Sequence, residues 1–170
     1  MIKKPTYPIE SDYFAGYVKT AKGADLIASL EANLLDTQEL FQSFIGRKED
    51  YQYAKGKWTV KQVLQHTIDT ERIFSYRALR MARMDKTPLP SYEEDDYAAN
   101  DFTNLRTLAD IITEFHQVRV STISLFDSFS KEALDFEGTG SNTIFTPRII
   151  GWLLSGHAEH HNNVIKERYC

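Results

Sequence analysis

The sequence predicts an all-α protein, a bundle of four helices, and three observations carry that prediction. Four segments of roughly 20 residues repeat apolar side chains at helical spacing. Glycine and proline are scarce, 8 and 5 among 170 residues, which argues against a turn-dense all-β chain. The composition, 42% hydrophobic and 26% charged, is that of a globular chain able to fill a core, and the length suits a single domain spanning 1–170.

Residues 1–20 read as an irregular N-terminal arm. Pro5, Pro8 and Gly16 break any regular pattern, and Tyr7, Tyr13 and Tyr17 are expected to pin the arm to the body. The first long helix is expected from about Ala24 to Ile45. Its core positions are Leu26, Leu30, Leu34, Phe41, Phe44 and Ile45, and Gly46 is the stop. A polar connection, Arg47 to Lys57, follows.

The second helix begins at Thr59, which forms a capping-box pair with Gln62. Val60, Val63, Leu64, Thr67, Phe74, Ala78 and Met81 mark its apolar face, and it should end near Met84. Pro88 and Pro90 forbid continuation. The acidic run Glu93 to Asp96 reads as a solvated loop, with a lid over a pocket as the alternative.

The third helix is expected from about Asn104 to Phe129, with Leu108, Ile111, Ile112, Phe115, Val118, Ile123, Leu125 and Phe126 in its core. A short helix can follow from Ser130, and 137–146 reads as a loop. The fourth helix starts at the Thr146 cap, with Pro147 at the first helical position, and runs to about Tyr169. Long helices with irregular connections imply an antiparallel bundle.

Several function classes are disfavoured by charge and composition. Twenty Lys and Arg against 24 Asp and Glu give a net charge of -4, unsuited to nucleic acid, which needs clustered positive charge. The one cysteine, Cys170, excludes an intramolecular disulfide and a multi-thiolate zinc site. The N-terminus shows no signal-peptide pattern, and no run of about 18 apolar residues marks a membrane span, so a soluble cytoplasmic protein is expected.

The chemistry is concentrated in histidines. His157, His160 and His161 occupy one short run of the fourth helix. Residues four apart on a helix lie one turn apart on the same face, so His157 and His161 can share one metal ion. Both fall on the stripe of Ile150, Leu154, Ala158 and Ile165, whereas His160 lies about 80° or more from its centre. Two hydrogen-bonded core histidines would explain the pair equally well. A third ligand is needed. His66, at the edge of the second helix's apolar face beside Thr70, Ile73 and Arg77, is permitted by periodicity but not demanded. His116 can equally be a surface residue. Ala158 follows His157, so the zinc-protease pattern is absent, and no Glu precedes any histidine by three, so a di-iron carboxylate site cannot be built.

The segment Lys57 to Arg72, with Tyr76-Arg77-Ala78-Leu79 through Leu89-Pro90, resembles the second-helix motif of the DinB/YfiT-like metalloenzymes. Gly156-His157-Ala158-Glu159-His160-His161 resembles the same family's fourth-helix motif, and the resemblance extends from about Leu26 to Tyr169. It implies a four-helix bundle of up-down-down-up topology, whose long crossovers suit the connections at 85–101 and 130–146. It also implies a metal-binding histidine triad, His66, His157 and His161, leaving a position for water or substrate.

Zinc or nickel suits three imidazoles. The reaction implied is activation of water, as in a hydrolase, or of a low-molecular-weight thiol, as in an S-transferase, acting on a small-molecule substrate. A homodimer is implied by the family alone. The competing reading is a non-catalytic metal-binding or ligand-sensing bundle, and a metal-free scaffold is the third. Asp69, Glu71, Glu159 and Asn162 are candidates to orient the ligating rings, each equally readable as a solvated helix-face residue. Arg72, Arg77, Arg80 and Arg83 read mainly as a solvated face paired with Glu71 and neighbouring acids, with anionic-substrate binding as the alternative.

Overall fold

The computed structural model describes residues 1–5 and 13–170. Its helices are α1 (Tyr13–Thr20), α2 (Leu26–Gln42), α3 (Val60–Ala82), α4 (Glu94–Ala99), α5 (Leu108–Asp127), α6 (Lys131–Asp135) and α7 (Pro147–Arg168). A 3-10 turn, Thr103–Leu105, precedes α5, and a two-stranded hairpin, β1 (Gly138–Gly140) and β2 (Thr143–Phe145), precedes α7.

The long helices start where their caps dictate. Thr59 and Gln62 form the expected capping box of α3, and Thr107 with Asp110 forms another at α5. Thr146 accepts a hydrogen bond from the Ile149 amide at the head of α7, with Pro147 next in line. Thr107 explains why α5 begins at Leu108 rather than near Asn104. At the other end of α2 the helix stops at Gln42, so Ile45 lies in a turn and is exposed; Gly46 there takes φ +69°.

The pairing of side chains between helices fixes their directions. Along α3 and α5 the contacts advance together: Lys61 with Arg106 O, Glu71 with Arg119, Ser75 with Thr122. Along α2 and α7 they also advance together: Ser29 with Ser155, Thr37 with Asn162. Between α3 and α7 they run oppositely, Trp58 O with Tyr169 and His66 with His157. The four long helices are therefore up-down-down-up: the segment from α3 to α5 crosses the length of the bundle, whereas the long connection from α5 to α7, expected to be a second crossover, stays at the end where Phe126 and Ile150 meet.

Two apolar clusters fill the bundle. One gathers Leu26, Leu30, Phe74, Met81, Phe126, Ile150 and Trp152. The other gathers Leu34, Phe41, Val63, Ile68, Ile111, Phe115 and Ile165. Along each long helix the sequence passes from one cluster to the other through buried polar residues: Asn33, Glu71, Arg119, and His157 with Asn162. A polar layer thus crosses the middle of the bundle. Its centre is the Arg119 guanidinium, which donates to Glu71 at 2.8 Å and to Asn33 Oδ1 at 2.9 Å.

Three expectations need correction. The arm is helical from Tyr13, because Ala15 and Val18 bury one face against α7 while Gly16 stays on the outside. Tyr7 and Pro8 lie outside the described residues. The loop at 137–146 contains the hairpin, turned by Ser141 and Asn142 with φ of +50° and +58°, the left-handed pair of a tight two-residue turn. Leu89 from the preceding crossover joins it, its amide donating to Thr139 O and its carbonyl accepting from the Ser141 amide. The acidic run forms the first turn of α4, where carboxylates meet free backbone amides. Among the described residues, no helix is long and apolar enough to cross a membrane.

Candidate metal centre

Antiparallel packing of α3 on α7 brings His66 opposite His157 and His161. The Nε2 atoms of His66 and His157 are 3.0 Å apart, and those of His161 and His157 are 3.1 Å apart. One ligating nitrogen from each of the three rings lies within 4.8 Å of the others. His157 is buried and the other two are half-buried. The neighbouring rings hold them in place: Trp58 stacks obliquely on His66 with centroids 4.7 Å apart, and Tyr17 meets His157 edge-on at 5.1 Å.

Hydrogen bonding alone does not satisfy this cluster. The His157 Nε2 is approached by two other Nε2 atoms, yet a neutral ring nitrogen offers one proton or one lone pair, not both. A cation facing all three lone pairs does satisfy it. Tetrahedral ligands about 2.0–2.1 Å from a metal are spaced by about 3.3–3.4 Å, close to the separations found. The rings are also in the right protonation state. Burial lowers the pKa of His66 to about 4, Asp95 opposing and His160 adding to the effect. Burial, then the neighbouring histidines, pushes His157 and His161 well below the usual imidazole range. All three are neutral donors at pH 7.

The remaining histidines stand apart. His160 is exposed, its ring edge-on to Tyr17 at 5.4 Å, as its angle on the helix predicts. His116 is an exposed residue 3.3 Å from Gln38 Oε1. The residues considered for orienting the rings are engaged elsewhere. Glu71 is bonded to Arg119, Asp69 accepts from Gln65 at 3.0 Å, Glu159 pairs with Lys22 at 2.6 Å, and Asn162 donates to Thr37 at 2.8 Å.

A cavity of about 190 Å³ opens onto His66 and His157. Its apolar wall is Phe14, Tyr17, Phe74 and Leu153, and its polar wall is Thr70, Ser91, Tyr92, Ser141 and Glu94. Three of the polar residues, Ser91, Tyr92 and Glu94, come from the crossover between α3 and α5, and Ser141 is the hairpin tip. Glu94 belongs to the run read as loop or lid, and it lies exposed on the rim. Burial first, then Asp95 and Glu93, raises its pKa. Helical periodicity gives no signal for these residues, because they reach the site through a crossover and a turn.

Comparison with known proteins adds two findings. Residues 29–165 match the family described as the DinB superfamily. The fold is similar to that of YfiT from Bacillus subtilis, described as "a probable metal-dependent hydrolase with an unusual four-helix bundle topology". The TM-score is 0.72 at 16% identity, over 96% of this chain and 90% of that one. No match is found among curated protein sequences.

Proposed function

Because this chain belongs to the DinB superfamily, we propose that it is a metal-dependent enzyme in which His66, His157 and His161 hold one divalent ion, zinc or nickel, beside a small-molecule site. The observation that carries this reading is the convergence of three neutral imidazole nitrogens at an open cavity. A structural metal site is closed by a fourth protein ligand, whereas a catalytic one keeps a position for water or substrate.

When bound, such an ion supplies a Lewis acid that lowers the proton affinity of water or of a thiol. The chain's own residues do the rest. Trp58 and Tyr17 fix the ring planes. Phe14, Phe74 and Leu153 shed water from the apolar side of a bound molecule. Glu94 is the acidic side chain of the cavity lining, and it stands on the rim.

Water is the favoured nucleophile, in keeping with the description of the structural neighbour. The test is turnover of a panel of small esters and amides, and of thiol consumption with small electrophiles, by protein loaded with zinc or nickel. Turnover by the wild type that disappears in His66→Ala together with the metal supports the reading. Ester cleavage assigns water as the nucleophile, and thiol loss assigns a thiol. Tight metal binding with no turnover on either panel, and a large loss of thermal stability on chelation, would instead establish a non-catalytic binding module.

A further inference from the structure

Of the four arginines on α3 and at its C-cap, three conform to a surface reading. Arg72 pairs with Glu114, Arg80 pairs with Asp85, and Arg83 is exposed. Arg77 does not. It is 2% exposed and has no carboxylate partner among the described residues. Its Nη2 donates to Pro90 O at 2.6 Å and to Ser141 Oγ at 3.0 Å, both neutral, and its Nη1 has no hydrogen-bond partner among the described residues. The guanidinium lies over the Phe74 ring at 4.6 Å, and a Cβ on Gly140 would come within 3.4 Å of Arg77 Cδ. An unpaired buried cation is costly, and that cost falls when an anion is brought near.

The surroundings of Arg77 say where that anion sits. Phe74, Ser141, Ser91 and Tyr92 line the cavity beside the histidine cluster, and the guanidinium lies behind the wall they make. Ser141 Oγ accepts from Arg77, which leaves the hydroxyl proton to point at a ligand. Beside it, the Tyr92 and Thr70 hydroxyls are 2.8 Å apart, and one proton of that pair is likewise unspent. A row of hydroxyl donors backed by a buried positive charge is built for an oxyanion.

Resting on the reading of this cavity as the substrate site, we infer that it selects substrates bearing a carboxylate, held by Ser141 and the Thr70–Tyr92 pair and balanced by Arg77. The reacting end of the molecule then faces the histidines. Glu94 is the acidic group on the same rim. It is exposed, so water screens it, and it sets a mild filter against more highly charged anions.

Calorimetric titration of benzoate and of its neutral analogue benzamide, on metal-free and on zinc-loaded protein, tests the assignment. Benzoate is expected to bind the metal-free wild type about tenfold tighter than benzamide, in proportion to a charge-assisted hydrogen bond. Arg77→Gln is expected to remove that preference, and Glu94→Gln to increase it. Should Arg77→Gln fail to fold by circular dichroism, Ser141→Gly carries the test, since glycine accepts the positive φ of the turn and lacks only the hydroxyl. Equal binding of the two probes, or a preference that survives the variants, overturns the inference. So does benzoate binding that appears only with zinc and ignores the variants, because the metal is then the anion site. If the wild type retains no zinc but prefers benzoate in an Arg77-dependent way, the inference stands and the metal reading fails.

Discussion

At the scale of single residues, three imidazoles made neutral by their surroundings set the behaviour of the site. Their folded-state pKa values lie below the unfolded value of about 6.5, with His66 at about 4. Between those values the unfolded chain binds more protons than the folded one, so stability rises with pH across the window and is lost as pH falls through it. The metal-free protein is therefore expected to lose thermal stability progressively from about pH 6.5 toward pH 4, whereas protons compete for the metal-binding nitrogens of the folded protein only around and below the His66 value of about 4. Melting curves against pH, with and without metal, check this; a flat profile above pH 4 would contradict it. The spacing of His157 and His161 made this pair readable in the sequence. His66 was permitted by periodicity and supplied by family resemblance, because which residue faces another helix depends on crossing geometry. Arg77 was misread as part of a solvated face, since nothing in the local sequence tells that a hairpin 60 residues on will cover it.

At the scale of elements, α7 organises the site from both sides. Its Gly156 lets α1 approach so closely that a Cβ there would lie 1.7 Å from the Tyr17 carbonyl oxygen. Gly156→Ala is expected to push α1 off α7, costing about 1–3 kcal/mol, as overpacking does, and opening the wall made by Phe14 and Tyr17. Urea denaturation and the rate of proteolysis within 13–20 measure both effects; wild-type values for both would show that α1 is not held there. The four long helices were legible in sequence because each carries a continuous apolar stripe, and Thr59 and Thr146 announced the starts of α3 and α7, whereas the Thr107 cap of α5 went unread. The helix α1 was obscured by Gly16, and the hairpin by strands of three residues with Ser-Asn where Asn-Gly would have announced the turn. These poorly announced pieces are the ones that complete the cavity, which is why the histidines were foreseen and the pocket was not.

At the scale of the molecule, α3 and α5 run the same way and so require a crossover the length of the bundle, and that crossover, with the hairpin tip before α7, walls the cavity. The polar layer separating the two apolar clusters pins the helices in register. Arg119→Met is expected to destabilise the fold by about 3–5 kcal/mol, since it strands a buried Glu71, whereas replacing both partners with apolar residues should recover most of that loss. Equilibrium unfolding of the single and double variants measures this, and equal losses would contradict it. On the proposed function, His66 on one helix and His157 and His161 on another close around one cation. X-ray absorption spectroscopy at the metal edge of the loaded, tag-free protein tests it most directly. The predicted result is one equivalent of metal with three imidazole nitrogens at about 2.0–2.1 Å and a further light-atom ligand, the imidazole shell being lost in His66→Ala. A protein that holds no stoichiometric metal, or whose metal has fewer than three imidazoles around it, would contradict the account.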